Sequence, residues 1–103
     1  MIVRLSPDVP PVLVDVDRLD RLHAESPGPI GDMMAGTLCR VDDDGEHVWL
    51  DIAVARAAGA ETADDDDWPA GYDAMIAYAR SKGWTDEAGT HVRAHVERVD
   101  GPA

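Results

Sequence analysis

The chain has 103 residues, about one domain's worth, and a formal net charge of −12 at pH 7. Binders of a phosphate backbone line a groove with Lys and Arg; this composition repels polyanions and argues against nucleic acid and anionic membrane surfaces as partners. With 45% hydrophobic residues the chain can bury a core, which excludes disorder of the low-hydrophobicity kind.

Residues 2–5 predict a short strand. The segment 6–11 carries three prolines and reads as an extended connection, because proline fixes φ and keeps its predecessor out of the helical region. Val12, Leu13 and Val14 form a second short strand candidate. Asp15 or Asp17 then suits the N-cap of a helix to about Glu25, since Val16, Leu19 and Leu22 recur every three residues and Asp17 pairs with Arg21 at i,i+4. Ser26-Pro27-Gly28-Pro29 ends that helix and opens a loop to about Gly36.

The hairpin is the clearest local signal. Segments 37–42 and 46–51 flank Asp43-Asp44-Gly45, and Asp-Gly favours a two-residue turn with positive φ. That turn places Asp42 opposite His47, Val41 opposite Val48, Arg40 opposite Trp49 and Cys39 opposite Leu50. One face is then apolar and the other mixed in charge, and a slip of one residue would exchange them. After Leu50 the segment 52–60 has two readings: Val48, Leu50, Ile52 and Val54 alternate as a strand would, while the alanines favour a helix over about 52–58, with Asp51 as N-cap and Gly59 as its stop.

The acidic run 64–67 leads into the strongest helix, about 68–82, with Pro69 in its first turn. Trp68, Tyr72, Met75, Ile76 and Ala79 form one apolar stripe. Gly83 reads as the residue just past the helix, and Trp84 as one that folds back on Tyr78 or Ala79. Residues 90–99 predict the last strand, and 100–103 a tail.

These elements form one α+β domain over 1–103, with a small antiparallel or mixed sheet and two to three helices on one face. The later part follows the ferredoxin-like split βαβ order. The opposite sheet face must then be solvated, lined by a ligand, or buried against another subunit.

The last strand carries the most suggestive pattern. Val92, Ala94 and Val96 alternate with His91, Arg93, His95 and Glu97, so period two sends the polar set to the open face. With Arg40 and Trp49 from the hairpin, that face would hold imidazoles, guanidinium groups, a carboxylate and an indole, a set able to bind a small anion or host acid–base chemistry. A solvated face with cross-strand charge pairs accounts for the same pattern.

No metal and no cofactor are expected. His91 and His95 lie four residues apart in a strand, ~13 Å at ~3.3 Å per residue, and cannot share an ion, although His23 or His47 could meet one of them in space. The runs 42–45 and 64–67 lack the alternating ligands of a calcium loop, and Pro27-Gly28-Pro29-Ile30-Gly31 lacks the lysine of a phosphate loop. Met33 and Met34 suit a core plug or an adaptable contact surface. Cys39, the only cysteine, falls on the apolar hairpin face and reads as an inert core thiol.

A lone cysteine suits a reducing compartment. Residues 1–5 lack the apolar run of a secretory leader, and nothing approaches the ~20 apolar residues that span a bilayer. The expectation is a small acidic cytoplasmic protein that acts by association or ligand binding, with a homodimer through the open sheet face as one form. A small-molecule enzyme or binding protein using His91, Arg93 and His95 is one alternative. An acidic inhibitor or immunity-type protein masking a basic partner is another; it requires the two aspartate runs to share one patch.

Overall fold

A computed structural model describes residues 1–99; the expected tail over 100–103 lies outside the described residues. Strands β1 (Ile2–Arg4), β2 (Val12–Val14) and β3 (His23–Ser26) come first. The hairpin β4 (Cys39–Val41) and β5 (His47–Asp51) follows, then α1 (Ile52–Thr62), α2 (Trp68–Ser81) and β6 (His91–Arg98). The strands form one mixed sheet in the order β2-β1-β3-β6-β5-β4. Pairs β1–β3 and β3–β6 are parallel, and the others antiparallel. This is an α+β architecture with two α-helices among the described residues. The ferredoxin-like order does not describe it, because the chain inserts a parallel strand, β3, between β1 and β6. Among the described residues no helix is long and apolar enough to cross a membrane.

That inserted strand is the main departure from the sequence reading, which assigns residues 15–25 to a helix. Asp15 takes a positive φ of 51°, and Arg18 N–H closes a turn on the Asp15 carbonyl. The carbonyls of Arg18 and Arg21 accept from the Met1 nitrogen instead of from a helical turn. His23-Ala24-Glu25 then aligns beside Ile2-Val3-Arg4. Local spacing suggested a helix, but a strand there fills the gap between β1 and β6 and buries Ala24 and Ser26. The three leucine and valine positions still serve the core: Val16 is buried, and Leu19 and Leu22 pack against it.

The hairpin has the expected register, with Cys39 opposite Leu50, Arg40 opposite Trp49 and Val41 opposite Val48. Its turn differs. Of the two central residues only Gly45 has positive φ, at 74°, so the primed two-residue turn is not formed. Gly45 N–H instead closes on the Asp42 carbonyl, and the Asp44 carboxylate accepts from the backbone N–H groups of Glu46 and His47. Side-chain bonding of this kind lets aspartate replace a backbone turn.

Asp51 caps α1 as expected, accepting from Val54 N–H at 3.0 Å. The helix runs past Gly59 to Thr62, because Gly59 is a contact point rather than a stop: a Cβ there would lie 2.4 Å from the Trp68 ring. Trp68 is buried, stacks on Tyr72 at 5.0 Å between centroids, and donates its indole N–H to the Val16 carbonyl. Tyr72 donates to the Ile52 carbonyl, tying the two helices together. At the other end of α2, Gly83 (φ 76°) turns the chain. Trp84 N–H bonds back to Ala79 and Gly83 N–H to Arg80, the Schellman pattern.

One sheet face is apolar and meets the helices. Val3, Ala24, Val48, Leu50, Val92 and Ala94 join Ala55, Trp68, Tyr72 and Ile76 in a single core. Cys39 belongs to it, and burial pushes its thiol up to about 11. Folded protein should therefore resist thiol-disulfide reagents near pH 8 and react promptly once denatured; fast native labelling would contradict the placement. Gly59→Ala should reverse the usual sign of a helical Gly→Ala change. The ~0.5–1 kcal/mol helix gain should be outweighed by overpacking that costs ~1–3 kcal/mol, read as a lower urea midpoint.

Candidate functional site

The opposite face of the sheet is polar, and the pairing register shows why. Val48 and Leu50 face Ala94 and Val92 inward, so His47, Trp49 and Asp51 must face out beside His95, Arg93 and His91. Ala24 points inward beside Val96, so His23 and Glu25 face out on β3. All four histidines of the chain thus lie on one sheet face. Arg40, Arg93, His95 and Glu97 stay exposed there, while His91 and Trp49 are half-buried.

The six residues singled out from the sequence share this face but divide into separate clusters. Arg93 and His95 meet His47 and Asp44. His47 and His95 pack edge to face at 5.4 Å between ring centroids. His47 Nδ1 lies 2.7 Å from Asp44 Oδ2, and an Arg93 terminal nitrogen lies 3.2 Å from the same oxygen. That Arg93 nitrogen is also 3.1 Å from His47 Nδ1. An ionised carboxylate cannot donate, so the 2.7 Å contact makes His47 Nδ1–H the donor to Asp44, and Arg93 donates to the same carboxylate rather than to His47. Asp44 is held down to about 2 from the usual 3.8, first by the Glu46 backbone N–H, opposed by desolvation, then by His47 and Arg93.

Glu97 falls in a second cluster, with its carboxylate 3.6 Å from His23, which is itself 3.4 Å from Glu25. His91 falls in a third, where Asp86 lies 3.3 Å from its Nδ1 and Asp51 3.8 Å from its Nε2. Asp86 also accepts from the backbone N–H groups of Thr90 and His91, so its carboxyl sits below the usual range although desolvation opposes this. Arg40 lies 5.5 Å over the Trp49 ring and 3.9 Å from Asp86. Trp49 donates its indole N–H to Asp42. Arg40, Trp49 and His91 therefore form a bonded framework at the β4 side.

Two clefts meet at the first cluster. A polar one of about 250 Å³ is lined by Leu22, His47, Trp84, Arg93 and His95. An apolar one of about 420 Å³ is lined by Leu19, Leu22, Met75, Tyr78, Trp84 and Val92 among others, and also reaches Arg93. Leu22, Trp84 and Arg93 border both. Tyr78 and Trp84 stand edge to face at 5.9 Å and are among the most exposed large apolar side chains. A larger cleft of about 750 Å³ runs under the 6–9 loop, but its arginine, Arg4, faces Glu25 at 3.8 Å and leaves it little unpaired positive charge.

Sequence reasoning does not assign Asp44 or Glu25 to this face or Trp84 to its clefts, and brings in His23 only as a histidine that could meet His91 or His95. Asp44 reads as a turn residue and Trp84 as a helix end, and the helix expected over 15–25 conceals His23 and Glu25, whose alternation with Ala24 and Ser26 is the available signal.

The two acidic runs do not share one patch. Asp64 N–H contacts Asp17, just beyond β2, whereas the 42–45 turn joins β4 and β5 at the opposite edge of the sheet. Asp42 and Asp44 are also engaged by Trp49, His47 and Arg93.

No protein-family model matches the chain, and no similar curated protein or solved structure was found.

The depressed Asp44 pKa fixes a sign. A carboxyl whose folded pKa lies below its unfolded one stabilises the fold above the unfolded value and loses that contribution as pH falls through the folded one. Asp44 should therefore contribute above about pH 4 and cease to contribute as pH falls towards 2. The urea midpoint of Asp44→Asn should depend less steeply on pH across that window than that of the unaltered protein; parallel curves would refute the depressed Asp44 carboxyl.

Proposed function

We propose that the chain is a small cytoplasmic binding module for an amphipathic organic anion, held where the cleft beside His47 and His95 on the open sheet face meets the apolar cleft between α2 and the β2–β3 loop. One observation carries the reading: Arg93 borders both the polar and the apolar cleft. A carboxylate there meets the Arg93 guanidinium and the His95 and His47 rings. Only one terminal nitrogen of Arg93 is engaged by Asp44, and guanidinium offers five N–H donors in a fork suited to carboxylates. The attached apolar body lies along Leu19, Met75, Tyr78 and Trp84. The volume falls within the ~300–1,000 Å³ range of small-molecule sites, with an apolar lining and few polar groups to orient the ligand.

The chain's −12 charge fits this ligand class better than a polyanion. A single carboxylate is held by short-range bonds to local cations, whereas a polymer would meet the whole negative surface. The lone buried thiol suits the reducing cytoplasm.

The test uses 2-naphthoate, a carboxylate on a flat apolar body, titrated against isotope-labelled protein by NMR. Saturable shifts are expected at Tyr78, the Trp84 indole and Arg93. Arg93→Ala should weaken binding tenfold or more, since a charged hydrogen bond contributes ~1.5–3 kcal/mol, and Trp84→Ala should weaken it while leaving the fold intact. Absent saturation at millimolar naphthoate, or shifts indifferent to Arg93→Ala, would overturn the proposal. So would sedimentation showing a micromolar dimer that buries Arg93, which would instead support self-association through this face.

A further inference from the structure

We infer that His23, Glu25 and Glu97 form a binding site for a zinc-class divalent cation, separate from the cleft around Arg93. The three side chains rise from two adjacent parallel strands. His23 and Glu25 are two apart on β3 and share a face, and Glu97 stands directly opposite Glu25 on β6. One ligand atom from each can be chosen so that all three lie within 4.8 Å of one another.

The spacing suits a metal. His23 Nε2 lies 3.4 Å from Glu25 Oε2 and 3.6 Å from Glu97 Oε2. A tetrahedral ion with bonds of ~2.0–2.2 Å separates its ligand atoms by ~3.3–3.6 Å. Imidazole nitrogen with two carboxylates suits Zn²⁺ and its first-row neighbours better than Mg²⁺ or Ca²⁺, which take oxygen ligands alone. Arg4 approaches the other Glu25 oxygen, Oε1, at 3.8 Å. It therefore turns Oε2 towards His23 without occupying it, as an outer-shell partner orients a ligand.

Electrostatics favours the same conclusion. Like charges directly opposite on neighbouring strands are destabilising, and Glu25 and Glu97 are such a pair. Arg4 lies near Oε1 of Glu25, and among the described residues Glu97 forms its ion pair with His23. A divalent ion neutralises both carboxylates at once. The His23 and Glu25 side chains are 14% and 21% exposed and Glu97 57%, which makes two fixed ligands and one that closes from solvent, with water completing the shell. A protonated His23 clasped by two carboxylates is the competing state, and proton and metal claim the same Nε2.

Isothermal titration of ZnCl₂ into tag-free, metal-stripped protein tests the site, with NMR of the histidine rings reading where the ion binds. One saturable equivalent is expected, with the largest ring shifts at His23. Glu97→Gln, at an exposed position, should weaken binding at least tenfold without altering the fold, and His23→Gln should abolish it. No saturable heat at millimolar Zn²⁺ would overturn the site. Binding indifferent to Glu97→Gln and His23→Gln but lost in His95→Ala would overturn it too, because the ion would then sit on the His47–His95 pair.

Discussion

Strand β6 is the constraint on which the rest depends. It pairs with β3 on one side and β5 on the other, and so joins the β1–β2–β3 half of the sheet to the hairpin. Its strict alternation leaves no freedom of register. Val92 and Ala94 are buried under the helices, and a shift by one residue would send His91, Arg93 and His95 into the core. Burying an unpaired charge costs several kcal/mol, more than any local pairing preference returns. The registers of β3 and β5 follow from this.

The same alternation builds the functional surface. Once β6 is placed, the odd positions of β5 and β3 must emerge beside its polar residues, and a chain with few cations gathers Arg4, Arg40, Arg93 and every histidine on one face. Acidic partners then divide this surface into parts. Asp86 and Asp51 hold His91, Asp44 holds His47 and Arg93, and Glu25 and Glu97 hold His23. The first of these braces the sheet edge, the second opens onto the apolar cleft, and the third has metal-ligand spacing.

The helix layer depends on two close approaches. Gly59 admits the Trp68 ring against α1, and the absence of a Cβ at Gly71 leaves room for Leu19 over α2. The second contact matters to the binding cleft, because Leu19 and Leu22 form one wall of it and α2 forms the other. The loop between β2 and β3 thus shapes the cleft from a segment without regular structure before Leu22.

Much of this was legible in the amino-acid order. The inward and outward sets of β6, the hairpin register, the N-cap at Asp51, the apolar stripe of α2 and the turn-back at Trp84 all depend on neighbours within a few residues, and a period of two or 3.6 reports them directly. The fate of residues 15–25 did not. Val16, Leu19 and Leu22 satisfy a helical spacing, and only the empty place between β1 and β6, created by chain segments about ninety residues apart, makes a parallel strand the better use of His23–Ser26. Local order therefore determined which side chains face water and which face the core. Tertiary pairing decided which of the outward ones meet, because contacts such as His23 with Glu97 and Arg93 with Asp44 form between strands that no short window contains.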